Sequence, residues 1–220
     1  MHVIVTAGPT REYIDSVRFI TNGSSGQMGC AVAAAAMDAG HRVTLLLARG
    51  VYDSMRDMVM ESARRSEQEW EIKSFVSVDD LRRELTARFA SADVLVMAAA
   101  VGDFQLEPGA VSPVKLSRRG GPITLRLVPT GDVLAAVGAE KKPTQRIVAF
   151  AVEDGPDGDI ESKARREMLD KHADFVVLNP PAAMGSPVSR ACILTRDGVA
   201  LPWGERPKER LAAEIVRLLA

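Results

Sequence analysis

The sequence predicts an α/β fold, Rossmann-like and doubly wound, in which helices flank a mostly parallel sheet that ends in a small antiparallel edge hairpin. Three observations predict it. Short runs rich in Val, Ile and Leu alternate with longer amphipathic stretches, the pattern of βαβ units. Several runs are apolar throughout, as strands covered on both faces must be. Near the end, Asp197-Gly198 separates two short β-rich runs, which is a hairpin signal.

The elements follow in order. Residues 3–6 read as a buried strand ending at Gly8-Pro9. Residues 27–39 are alanine-rich and helical, with a serine cap from Ser24-Ser25 and Gly40 as the stop. Residues 43–48 form a continuous apolar strand. Residues 71–76 are a strand, 79–90 a helix capped by Ser77 or Asp79, and 94–99 another buried strand. In 122–128, Ile123, Leu125 and Leu127 alternate with Thr124 and Arg126, so this strand is half-exposed and of antiparallel character. Residues 132–138 are helical, 146–151 a strand, 160–172 a helix and 175–178 a strand. The hairpin pairs 191–195 with 199–202, and a helix spans 207–219 behind Pro207. Segments 7–25 and 101–121 carry no predicted secondary structure. Both follow buried strands, and ligands in open parallel sheets bind beyond the carboxyl ends of strands.

Composition narrows the function classes. The 220 residues carry 28 Lys+Arg against 29 Asp+Glu, a net charge of -1, and 46% are hydrophobic, as expected of one folded domain over 1–220. The basic residues form no tail, so no nucleic-acid partner is expected. No apolar stretch approaches the about 20 residues of a membrane span, and the N-terminus lacks the basic region of a secretory signal; the expected setting is cytoplasmic, with no membrane partner. Cys30 and Cys192 are far apart, and His2, His41 and His172 are scattered, which argues against disulfides and zinc.

Chemistry is expected in the two loops. At the helix start, Ser24, Ser25 and Gly26 offer hydroxyls, unpaired N–H groups and the positive end of a helix dipole, a setting for phosphate or carboxylate. Gly23, Gly26 and Gly29 are spaced GxxGxxG, which serves capping and close helix packing as readily as ligand binding. Arg11, Arg18 and Asn22 in the same loop strengthen an anion site, since arginine binds phosphate bidentately and asparagine can hold a carbonyl or oxyanion.

The string AGPTREYIDSVRFITNGSSGQMG resembles the opening motif of phosphopantothenoylcysteine synthetases, the phosphopantothenate–cysteine ligases of coenzyme A biosynthesis. Ala98-Ala99-Ala100-Val101-Gly102-Asp103-Phe104 is similar to that family's AAAV-x-DF loop and Lys115-Leu116 to its following K-[IL] motif. Asp132-Val133-Leu134 resembles its DIL helix start and Phe150-Ala151-Val152-Glu153 its FA-x-E strand end. Lys171-His172-Ala173-Asp174 with Asn179 is similar to a later K-x-x-D stretch and strand-end Asn. The motifs run in family order across nearly the whole chain.

The resemblance implies a two-step ligation. The carboxylate of 4'-phosphopantothenate attacks the α-phosphate of a nucleoside triphosphate, CTP or alternatively ATP, and the amine of cysteine then attacks the acyl-nucleotide. By the same resemblance Asn22 holds the acyl-nucleotide, Lys115 neutralises phosphate charge in the first step, and Arg18 acts beside Asn22. Ser24, Ser25, Gly26, Ala99, Asp103, Thr130, Gly131, Asp132, Val133, Phe150 and Lys171 would contact the nucleotide, with Asp103 the candidate for placing Mg²⁺. A homodimer is expected, with the Arg18–Asn22 region approaching the neighbour's site. Because the GPTRE strand starts at residue 3, the resemblance assigns all 220 residues to the ligase. No FMN is then expected, and a separate flavin-dependent decarboxylase would take the product.

Three positions depart from the family pattern. Gln27 stands where many members have lysine, Thr130-Gly131 replaces Asn-Pro, and Glu167 occupies the place of a nucleotide-binding lysine, leaving Lys163 or Arg166 as substitutes. They bear on nucleotide preference, and they keep open a noncatalytic nucleotide-binding paralogue. A NAD(P)- or flavin-dependent oxidoreductase on the same sheet is the other alternative. The first strand-to-helix turn lacks GxGxxG and residues 45–49 contain no acid, both against it.

Overall fold

The computed structural model describes residues 1–51 and 53–219. In chain order the strands are β1 (His2–Ala7), β2 (Arg11–Tyr13), β3 (Phe19–Thr21), β4 (Arg42–Ala48), β5 (Trp70–Phe75), β6 (Val94–Met97), β7 (Phe104–Leu106), β8 (Leu127–Pro129), β9 (Arg146–Val152), β10 (Phe175–Asn179), β11 (Val188–Thr195) and β12 (Val199–Pro207). The helices are α1 (Gln27–Asp38), α2 (Asp53–Arg65), α3 (Val78–Arg88), α4 (Val133–Ala139), α5 (Asp157–Asp170) and α6 (Lys208–Arg217).

Eight strands form the main sheet in the order β12-β11-β10-β9-β6-β1-β4-β5, parallel from β5 to β10 and antiparallel at the β11–β12 edge. Every residue of β1 and β6 is buried, which explains the apolar runs of residues 3–5 and 94–97. Against one face lies α1, packed between α2 and α6. The right-handed crossover rule puts α3, α4 and α5 on the other face; α3 meets α4, and α5 packs on β10 and β11. From the middle of the sheet the chain winds outward through β4 and β5 on one side and through β9 and β10 on the other. The reversal falls between β1 and β6, and their carboxyl ends, Ala7 and Met97, form the switch crevice.

Four expectations need correction. Segment 7–25 carries the hairpin β2–β3, and segment 101–121 carries β7 and a 3₁₀ turn at Arg118–Gly120. Strands of three residues are too short to display a period. In 122–128 only the end is strand: β8 pairs antiparallel with β7, as the half-exposed pattern implies, while 122–126 lie outside it. The cap of α1 is Gly26 in the left-handed conformation rather than a serine. Finally, α2 went unread because its Met55, Met58 and Val59 stripe is embedded in charged residues.

Candidate functional site

A cleft of about 650 Å³ opens over the carboxyl ends of β6, β9 and β10, beside the start of α1. Two loops meet at its floor. A bridge joins Pro9 to Ala100, with Thr10 N donating to Ala100 O (3.2 Å) and Ala100 N to Gly8 O (3.1 Å). Gly102 N donates to Thr10 Oγ1 at 2.9 Å, and Thr130 Oγ1 donates to Gly102 O at 2.7 Å. Asn22 closes the seam: its Nδ2 donates to Ala100 O at 3.2 Å and to Val101 O at 3.0 Å. The side chain is exposed and sits where the two loops face the cleft.

The start of α1 forms one wall. Gly26 takes φ 78°, a conformation natural to glycine, and a Cβ at Gly29 would lie 2.6 Å from both Ala7 Cβ and Thr6 O. Gly29 therefore lets α1 lie directly on β1, and this fixes the helix start over the crevice. The Oγ atoms of Ser24 and Ser25 accept from Gly26 N and Gln27 N at 3.3 and 3.4 Å. Met28 N and Gly29 N meet no protein acceptor among the described residues, so two N–H donors of the first turn are available to an anion.

The facing wall is built by Thr130, Gly131, Asp132 and Val133 ahead of α4, with Phe150 from β9. Asp132 caps α4 through Ala135 N at 2.9 Å. Charges then alternate along this side of the cleft. Lys163 Nζ lies 2.7 Å from Glu153 and 4.0 Å from Glu167, while Lys171 Nζ lies 3.4 Å from Glu167 and 3.5 Å from Asp132. The hydrogen bond to Glu153 is the leading cause that raises the Lys163 pKa above its ordinary value. Glu167 thus spans two lysines, and Lys163, not Arg166, is the helix cation that reaches the cleft.

Twelve of the sequence-predicted site residues, Asn22, Ser24, Ser25, Gly26, Ala99, Asp103, Thr130, Gly131, Asp132, Val133, Phe150 and Lys171, line this one cleft. The model of the DNA/pantothenate metabolism flavoprotein C-terminal domain family matches residues 1–220. The chain belongs to that family.

Among curated relatives, the coenzyme A biosynthesis bifunctional protein CoaBC of Bacillus subtilis (strain 168) is 37% identical over 185 residues, covering 84% of this chain and 41% of that protein. A cysteine/cysteine sulfinic acid decarboxylase from an unknown prokaryotic organism is 34% identical over 219 residues, covering 98% of this chain and 56% of that protein. The chain thus spans about half the length of these relatives. The crystal structure of the C-terminal domain of a CoaBC bifunctional protein superposes with a TM-score of 0.75 at 26% identity, covering 99% of this chain and 94% of that one.

Two residues singled out by resemblance to this flavoprotein C-terminal domain family lie outside the cleft. Arg18 Nη1 donates to buried Asp15 Oδ2 at 2.6 Å and to Leu116 O at 3.1 Å. Asp15 also accepts from Val17 N, Arg18 N and Leu116 N, so the β2–β3 turn grips the segment that carries Lys115. Burial alone would raise the Asp15 pKa, but these backbone donors and the Arg18 charge outweigh it and hold the carboxyl at about 2. Lys115 is exposed on this projecting arm, together with Val17, Val111 and Val114.

For a metal, the described residues contain no group of three or more His, Cys, Asp or Glu side chains. Among the cleft carboxylates Asp132, Glu153 and Glu167 are each paired with lysine, whereas Asp103 has no cation partner among the described residues. One free carboxylate suits Mg²⁺ that shares its coordination sphere with phosphates, and does not suit a cage of protein ligands. Sequence reasoning missed the far end of the cleft, where Met184, Gly185, Ser189 and Lys208 complete the lining. The signal was the direction of the edge hairpin, which returns the chain to the carboxyl edge of the sheet just before α6.

Proposed function

We propose that the chain is a ligase that joins 4'-phosphopantothenate to cysteine through an acyl-nucleotide, a step of coenzyme A biosynthesis. One observation carries this reading: motif residues from separate stretches of sequence, Asn22 to Gly26, Ala99 to Asp103, Thr130 to Val133, Phe150 and Lys171, converge on one cleft. The family membership and the CoaBC relatives support it. In the first step the substrate carboxylate attacks the α-phosphate, forming an acyl-nucleotide and releasing pyrophosphate. In the second the cysteine amine attacks the acyl carbon, loses a proton and expels the nucleoside monophosphate. Neither step moves electrons to or from a redox centre, so the reaction calls for no FMN.

The residues serve this chemistry by positioning and charge neutralisation. Phosphates rest at the start of α1 on Ser24, Ser25, Gly26 and the free N–H groups behind them. Asn22 holds the acyl-nucleotide at the seam of the two loops, exchanging its hydrogen bonds to the Ala100 and Val101 carbonyls for the anhydride. Thr130, Gly131, Asp132, Val133 and Phe150 bound the base, which we assign to CTP, with ATP as the alternative. Asp103 is the residue that would hold Mg²⁺, which would supply charge neutralisation on the phosphates.

Arg18 and Lys115 belong to the arm, and in this reading the arm serves the partner subunit of a homodimer. The exposed apolar side chains Val17, Val111 and Val114 beside them suit such an interface. The expected setting is the cytoplasm; the described residues contain no helix long and apolar enough to cross a membrane. A decarboxylase consumes the product. The test is pyrophosphate release with CTP or ATP and 4'-phosphopantothenate, with and without cysteine. Release that requires phosphopantothenate supports the reading, and no release with either nucleotide overturns it.

A further inference from the structure

Lys208 is the first residue of α6 and lines the cleft, yet it is only 5% exposed. Among the described residues no carboxylate lies within ion-pair distance of its ammonium and its side chain makes no hydrogen bond. Every other cleft lysine has an acidic partner: Lys163 has Glu153 and Lys171 has Glu167 and Asp132. Desolvation pushes the Lys208 pKa below its ordinary value, and the neighbouring Glu209 offsets this only in part. The side chain is buried but its ammonium still reaches the cleft, and a cation held there without an acidic partner is open to an anion.

The topology places a second cationic feature beside it. Because β11 runs antiparallel to β10 and β12 returns alongside, α6 begins at the carboxyl edge of the sheet, as α1 does. The two helices pack together, so their N-termini face the same end of the crevice. Neither has a side-chain cap: the N-cap of α1 is Gly26 and that of α6 is Pro207. Two uncapped helix starts lie at the same edge of the sheet, and Lys208 and the start of α1 line the same cleft. Ser189, 2% exposed and also lining the cleft, makes no side-chain hydrogen bond among the described residues and can donate its hydroxyl. At Gln27 this helix pair lacks a side-chain positive charge, which Lys208 supplies from the neighbouring helix.

We infer that Lys208, with Ser189 and the start of α1, forms a polyphosphate subsite that holds the β- and γ-phosphates of the nucleotide and the pyrophosphate they become. This deepens the ligase reading and rests on it for the source of the polyphosphate, while the binding chemistry stands on the side chains alone. The subsite would stabilise the leaving group of the first half-reaction and contribute nothing to the monophosphate released in the second.

The experiment is calorimetric titration of the full chain with inorganic pyrophosphate, and separately with CMP, for the wild type, Lys208→Met and Lys208→Arg. We expect the wild type to bind pyrophosphate, Lys208→Met to bind it about ten-fold or more weakly, and Lys208→Arg to stay within about three-fold. CMP affinity should change less than about two-fold in all three. A thermal melt separates this from a structural role: methionine removes a desolvated charge, so Lys208→Met should melt at or above the wild-type temperature. Equal pyrophosphate binding by wild type and Lys208→Met, or no pyrophosphate binding by the wild type, overturns the subsite. Failure to form amide in the ligase assay overturns the ligase reading instead, and the pyrophosphate titration still decides Lys208.

Discussion

Replacing Asn22 by Asp probes the seam on which the proposed second half-reaction depends. The amide donates to Ala100 O at 3.2 Å and to Val101 O at 3.0 Å, and a carboxylate can donate to neither. Two exposed hydrogen bonds at the lower end of their usual worth come to about 1 kcal/mol of loop ordering, too little to unfold the chain. The chemical effect is larger. A donor aimed at developing negative charge is worth about 10²–10³ in rate, and a carboxylate there adds repulsion toward the phosphates. Asn22→Asp should therefore release pyrophosphate in a first turnover yet form amide about 10²–10³-fold more slowly, so that acyl-nucleotide accumulates. Rapid quench with α-labelled nucleotide, followed by chromatography, reads both species. Wild-type amide formation with no accumulated intermediate would refute the role given to Asn22.

Three other substitutions test neighbouring parts of the account. Lys115→Gln should slow the pyrophosphate burst itself by about 10²-fold, and an unchanged burst would remove Lys115 from the first step. Gly29→Ala places a Cβ 2.6 Å from Thr6 O and Ala7 Cβ. An overpacking cost of about 3 kcal/mol, less about 1 kcal/mol gained in helix propensity, leaves about 2 kcal/mol of destabilisation. The melting temperature should fall by about 4–8 °C, and an unchanged melt would mean that α1 does not rest on β1 as described. Asp15 is held at about 2 against an ordinary value of 3.8, so its contribution to stability is complete above 3.8 and is lost as pH falls toward about 2. Asp15→Asn should flatten the acid limb of stability in that window, as read by urea midpoints above and below it; an identical acid limb would contradict the arm clasp. Light scattering should report a dimer, and a fully active monomer would contradict a site completed by the partner's arm.

Much of the framework was legible because burial leaves a direct trace in sequence. The runs that became β1, β4, β6, β9 and β10 are apolar because both faces are covered, and the reversal between β1 and β6 places the two long loops at the crevice. Twelve of the residues carried by resemblance line the cleft there, while Arg18 and Lys115 lie outside it. What stayed hidden depends on long-range contacts. The strands β2 and β3 are defined by each other and by Asp15, whose tie to Leu116 joins positions about a hundred residues apart along the chain. Arg18, which the resemblance sets beside Asn22, is turned by the β2–β3 hairpin to Asp15 and Leu116 on the arm, a contact its sequence neighbourhood does not show. Lys208 gave no signal in its own neighbourhood, since Pro207-Lys208-Glu209 reads as an ordinary helix start. Only the antiparallel return of β12 brings it to the cleft wall.

The central claim is that the carboxylate of 4'-phosphopantothenate is activated on the α-phosphate of the nucleotide. It is tested most directly with substrate carrying ¹⁸O in that carboxylate, followed by mass spectrometry of every phosphorus-containing product after amide formation. An acyl-nucleotide route predicts one ¹⁸O in the nucleoside monophosphate and none in pyrophosphate. Label in inorganic phosphate or pyrophosphate, or amide formed with no label in the monophosphate, would contradict it.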